Sequence, residues 1–148
     1  IPYVSMTTGA ADPQWIAPRR FFRDGDALLL RCWSYERQAW RNYLPIRFLP
    51  DAGGERRASA TLPPDEEWET LVIWHLVPRS SLSAAQAAAV RREYGFEGQH
   101  LRLQTRAAME LFVRRRWSLD AENGRLEIES ETRAPQATVL SMGSQGIT

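Results

Sequence analysis

Apolar residues recur along this chain with two different periods. Between Phe21 and Phe48 they alternate. Phe21-Phe22-Arg23 and Ala27 to Trp33 flank Asp24-Gly25, a two-residue signal for a hairpin because both turn positions favour positive φ. Alternation along Ala27 to Trp33 sends Leu28, Leu30 and Cys32 one way and Leu29, Arg31 and Trp33 the other. The run Trp40 to Phe48 divides likewise: Trp40, Leu44, Ile46 and Phe48 share a side read as core, opposite Arg41, Tyr43 and Arg47. Near the start, Tyr3 and Ser5 lie on a common face. A segment this short, rich in strands and without a long helix, predicts a strongly bent sheet or small barrel.

Beyond the connector the pattern changes. Glu69 to Val77 is a nearly continuous apolar run containing Trp74, predicting a central strand covered on both sides. Ser83 with Gln86 has capping-box spacing and Gly95 is a left-handed stop, so a helix is expected from Ser83 to Tyr94. Gln99 to Leu103 reads as a short strand. Thr105 then caps a helix to about Trp117, with Met109, Phe112, Val113 and Trp117 on one stripe. Arg125 to Ile128 and Ala137 to Met142 read as closing strands. The fold class is therefore mainly β plus α+β, two helices on a sheet in the second half.

Punctuation sets the domain limits. Asp51-Ala-Gly-Gly-Glu-Arg-Arg and Pro63-Pro64-Asp-Glu-Glu separate the two patterns, which gives a first domain over 1–50, a linker over 51–67 and a second domain over 68–148. At 148 residues there is chain for one compact domain or two very small ones, and no apolar run approaches the roughly 20 residues of a membrane span. Cys32 is the only cysteine, so no internal disulfide can form, and the cytoplasm is the expected location. The chain opens with Ile1, and an upstream part of a longer protein is expected.

Charge narrows the candidate chemistry. All 19 basic residues are arginine; 9 of them stand against 6 acidic residues up to Arg57, leaving the first third net positive. Absence of lysine is read as the mark of a GC-rich genome ahead of a demand for the planar guanidinium. The run Arg114 to Arg116 falls where cations favour the end of a helix dipole and needs no ligand. His75 and His100 stand in separate strands without ligand-spaced neighbours, and no Gly-x-Ser-x-Gly, His-Glu-x-x-His or glycine-rich phosphate loop occurs. Neither a metal, a cofactor nor an enzyme activity is expected. What survives is Arg31, Arg41, Tyr43 and Arg47, with Ser5 and Tyr3 as neighbours: guanidinium groups, hydroxyls and a stacking ring, the parts of a phosphate-and-base binder. A plain solvated outer face has the same pattern.

Four motifs in order carry a family likeness. Ile1-Pro-Tyr-Val-Ser-Met-Thr-Thr-Gly, Gln14-Trp-Ile-Ala-Pro-Arg-Arg-Phe, Asp24-Gly-Asp-Ala-Leu-Leu-Leu-Arg-Cys-Trp and Trp40-Arg-Asn-Tyr-Leu-Pro-Ile-Arg-Phe resemble the WYL domain. Glu67-Trp-Glu-Thr, Pro78-Arg-Ser-Ser-Leu-Ser-Ala-Ala-Gln, Glu93-Tyr-Gly-Phe and the segment Arg106 to Asp120 resemble the WCX extension. The whole is similar to the WYL regulators of bacterial anti-phage islands, the BrxR/CapW group of defence-operon repressors.

That resemblance implies an Sm-like, SH3-type small barrel for the WYL part, sensing single-stranded nucleic acid or a cyclic or linear oligonucleotide. It implies a WCX part that supports a homodimer, and operator DNA read by a winged helix-turn-helix upstream. The family's polar pocket positions fall on Ser5, Arg31, Arg41 and Arg47, and Arg19 stands where many relatives have histidine. The name-giving Trp-Tyr-Leu is here Leu28-Leu29-Leu30, which removes one ligand contact. The rival expectation is a structural dimerisation module with no ligand, its basic face meeting an acidic segment such as Asp65 to Glu69 on the partner subunit.

Overall fold

The computed structural model describes residues 2–4, 9, 11–49 and 61–138, which fall into two compact units, Ile1–Asp65 and Glu66–Thr148. The first holds a small antiparallel pair, β1 (Pro2–Val4) with β2 (Ala11–Pro13), and a meander of β3 (Ile16–Asp24), β4 (Ala27–Ser34) and β5 (Ala39–Tyr43). Among the described residues these strands do not close into a barrel. The hairpin loop between β3 and β4 is Gly25-Asp26, one residue later than the sequence signal, since Asp24 still pairs with Ala27 and Gly25 takes φ +59°. Strand β5 stops at Tyr43 because Pro45, which has no N–H to give a ladder, opens a 3-10 turn over Pro45–Arg47. That turn breaks the expected alternation: Ile46, assigned to the core, is 91% exposed. Phe48 does reach the core, beside Leu30, Cys32, Tyr43 and Ile16.

The second unit begins with the short α1 (Glu66–Glu69) and enters β6 (Thr70–Pro78), the centre of an antiparallel sheet ordered β7-β6-β8, where β7 is Leu101–Arg106 and β8 is Leu126–Pro135. Val72, Trp74 and Leu76 alternate onto one face and are fully buried. Helix α2 (Ala84–Glu93) starts at the expected capping box, Ser83 Oγ accepting from Gln86 N while Gln86 Oε1 accepts from Ser83 N, and Gly95 follows at φ +66°. Helix α3 (Glu110–Arg116) lies on the Trp74 face, with the Arg114 guanidinium 5.0 Å from the indole centre. Tyr94 and Trp117, which cap the two helices, bring their rings to 5.8 Å, so the helices meet at their C-terminal ends. As expected, the chain is mainly β with an α+β second half.

Three expectations fail here for identifiable reasons. Thr105 does not cap a helix; it pairs with Val72 inside β7, and α3 begins only after a 3-10 turn over Ala107–Met109. Strand β8 runs seven residues past Ile128 because its backbone bonds to β6, although Glu129 to Arg133 are exposed and show no apolar alternation. Residues 136–138 form a helical turn rather than the start of a closing strand, and 139–142 lie outside the described residues. The loop between α3 and β8 is clamped by Arg79, which donates to the carbonyls of Leu119, Glu122 and Leu126. Gly124 lies so close to Ser118 O and Arg79 that a Cβ has no room there.

Candidate functional site

Arg31 is the centre of the first unit's polar chemistry, and it is 2% exposed. It sits mid-way along β4, between β3 and β5. Its fork is fully engaged: Nε donates to Asp65 Oδ2 at 2.8 Å, Nη2 to Asp65 Oδ1 at 2.7 Å and Nη1 to Asn42 Oδ1 at 3.1 Å. Asp65 is itself buried. This is the bidentate guanidinium–carboxylate geometry that a phosphate would otherwise occupy. Trp40, on the same face, donates its Nε1 to Pro63 O at 3.1 Å, so two contacts strap the Pro63–Asp65 segment over this face of the sheet. The acid expected from a partner subunit is supplied from within the chain.

The four residues expected on one face divide between two. The turn between β4 and β5 pairs Ser34 with Ala39, which sets Arg31 opposite Asn42, Cys32 opposite Arg41 and Leu30 opposite Tyr43. Directly opposed residues share a face. Arg41 and Tyr43 therefore lie on the Leu30–Cys32 side and Arg31 on the other. Tyr43 is a core residue: its ring stacks on Phe48 at 5.7 Å, its hydroxyl bonds the Ser34 side chain, and burial pushes the phenol pKa up. It has no free face for a base. Arg41 is exposed; Arg47 is half-buried in the 3-10 turn, and Arg19 is exposed where β3 shifts register between Pro18 and Arg20. Tyr3 lies in β1 opposite Asp12, and Ser5 lies outside the described residues. Of the predicted set, the structure brings Arg41 and Tyr43 to one face and separates Arg31 from both.

Cys32 is fully buried beside them, and burial, opposed by the nearby Arg31 charge, pushes its thiol pKa up to about 12. The thiolate is the reactive form. We expect no measurable labelling of Cys32 by a thiol reagent at neutral pH until the protein is denatured; rapid stoichiometric labelling of the folded chain would contradict this packing.

The second unit holds a cluster that spacing did not reveal. The β6–β7 register brings His75 and His100 to ring centres 5.9 Å apart; His75 Nδ1 lies 3.2 Å from Ser130 Oγ and His100 Nε2 contacts a Glu129 carboxylate oxygen. Among the described residues no group of three His, Cys, Asp or Glu side chains is arranged to hold a metal ion. Nor, among them, is any helix long and apolar enough to cross a membrane.

Residues 71–140 match the family described as the BrxR transcriptional regulator, C-terminal dimerization domain. The matched span opens inside β6 and includes α2, β7, α3 and β8. A curated relative, the DNA-binding transcriptional repressor CapW of Pseudomonas aeruginosa, is 24% identical over 113 residues, covering 75% of this chain and 37% of the repressor. The chain thus spans little more than a third of that relative's length. These two likenesses and the ordered sequence motifs converge: the chain is similar to the C-terminal part of BrxR/CapW-like transcriptional regulators.

Proposed function

We propose that this chain is the dimer-forming and ligand-sensing portion of a bacterial transcriptional repressor that controls an anti-phage defence operon. The observation that carries the reading is the match of 71–140 to a C-terminal dimerization domain; the likeness to CapW supports the repressor role. The second unit holds two copies together in the cytoplasm, and operator DNA is read by a winged helix-turn-helix that the family resemblance places upstream. The role is binding rather than catalysis, with no cofactor. In the first unit the sensor's contact with an anionic oligonucleotide falls to Arg41, Arg47 and Arg19, because Arg31 is committed to Asp65 and Tyr43 to the core. A ligand that prefers one dimer geometry shifts the repressor between operator-bound and free states.

One observation favours the rival reading of a structural module without ligand: the two groups best suited to phosphate and base, Arg31 and Tyr43, already have partners inside the fold. Fluorescence anisotropy of the chain with single-stranded DNA, RNA and cyclic oligonucleotides separates the two. Sensing predicts binding that weakens steeply with salt, as phosphate neutralisation requires, and that is lost in Arg41→Ala/Arg47→Ala. A folded dimer that binds none of the panel leaves the structural module as the correct reading.

A further inference from the structure

The sheet of the second unit has two faces with different fates. Val72, Trp74 and Leu76 point to the helices, while Leu71, Ile73, His75 and Val77 alternate to the other side, where Ile73, His75 and Val77 remain half-buried. On that side the register sets Gln104 and Thr132 beside Ile73, Arg102 and Ser130 beside His75, and Glu127 beside Val77. The four positions flanking Ile73 and His75 are exposed. A half-buried apolar stripe is thus bordered by polar groups, the anatomy of an interface core with its rim.

The border is polarised. On the β7 side Arg102 is exposed, and its hydrogen bond goes to a neutral group, Gln104 Oε1. On the β8 side stand Glu127 and Glu129, the latter set in by the register shift between His75 and Leu76. Glu129 reaches across β6 to touch His100, the residue just ahead of β7, and stays about half exposed, with acceptor capacity left on its carboxylate. A two-fold axis running along β6, in the plane of contact, lays β7 of one copy over β8 of the other. Arg102 then faces the second copy's Glu129, the same contact repeats on the far side of the axis, and the Ile73–Val77 stripes meet between them. A face that is basic on one side and acidic on the other is complementary to itself under this operation alone; an axis across the strands would set Arg102 against Arg102.

We infer that the open face of the β7-β6-β8 sheet, with Ile73 and Val77 at its centre and Arg102 and Glu129 at opposite edges, is the surface on which a second copy of this chain docks. The inference rests on the proposed dimer and adds the face, the axis and the ion pairs. Aligned packing of two sheets gives the strand directions a small crossing angle.

Sedimentation velocity on the full chain tests it, with wild type, Thr132→Arg, Arg102→Glu, Glu129→Arg and the double swap Arg102→Glu/Glu129→Arg. Wild type is expected to be a dimer. Thr132→Arg, Arg102→Glu and Glu129→Arg should each lose the dimer peak at a concentration where wild type retains it, and the double swap should regain it. Thr132 is exposed, so its variant reports on the face even if a charge reversal disturbs folding, which circular dichroism checks. A wild-type monomer overturns both the dimer reading and this one. A wild-type dimer that all variants keep overturns only the face assigned here.

Discussion

Arg31→Ala is expected to lower the stability of the first unit by about 3–5 kcal/mol, because breaking a buried pair leaves its partner charge uncompensated. Asp65 is buried and both of its carboxylate oxygens accept from Arg31, so removing the guanidinium takes two charge-assisted bonds from a largely desolvated carboxylate. The Asn42 amide oxygen loses the Arg31 hydrogen bond as well. Urea denaturation followed by tryptophan fluorescence should show the early transition of a weakened first unit. The companion variant Arg31→Met/Asp65→Leu removes both charges and keeps the volume, and should recover most of the loss, since apolar replacements of buried pairs are often neutral or stabilising. Together the variants separate roles: a folded Arg31→Met/Asp65→Leu protein that binds oligonucleotide as wild type does makes Arg31 a staple for the segment ahead of α1. A loss below about 1 kcal/mol in Arg31→Ala would mean the pair behaves as an exposed one, contradicting its burial.

The same residue shows where a sequence stops being informative. Alternation along β4 put Leu30 and Cys32 on one face, and both are core residues. It also put Arg31 opposite them, and Arg31 does lie on the other side; what alternation cannot supply is which face of β5 matches which face of β4. That depends on register, here the Ser34–Ala39 pairing across a four-residue turn, and a shift of one residue exchanges the faces. The burial of Arg31 depends in addition on Asp65, 34 residues on, in a segment that reads as a connector. Local signals did better. Ser83 with Gln86 and Gly95 bound α2 through contacts within one or two turns, so their spacing was sufficient. Strand β8 was only half legible, because Glu129 to Arg133 are held by backbone bonds to β6 at an exposed edge and have no apolar face to bury. The meeting of His75 with His100 again follows from register rather than spacing.

Trp74→Ala is expected to cost the second unit about 3–5 kcal/mol, the range for emptying a large buried aromatic site. Trp74 has no exposed surface and occupies the middle of the central strand, opposite Leu103 and Glu131. The indole Nε1 donates to Glu131 Oε1 at 2.7 Å, and Arg114 of α3 lies over the ring, so one side chain joins the sheet's edge strand to its covering helix. Trp74→Phe separates volume from polarity: it keeps most of the ring, loses the donor, and should cost about 1 kcal/mol beyond its volume change. Glu131 stays satisfied in that variant because Arg133 also donates to it; the Arg133 hydrogen bond first and the Trp74 one second hold its carboxyl pKa below the ordinary value. A carboxylate whose folded pKa is lowered contributes stability above its unfolded pKa and loses it as pH falls through the folded one. With the Glu131 side chain about a third exposed and its charge therefore screened by solvent, that contribution is small, so the gap between wild type and Trp74→Phe should narrow only slightly on acidification below the carboxylate range. Thermal unfolding followed by circular dichroism, which does not depend on the deleted fluorophore, measures all three proteins. If Trp74→Ala melted within a few degrees of wild type, the helix-covered face of this sheet would not be the core that supports the dimer surface on its reverse side.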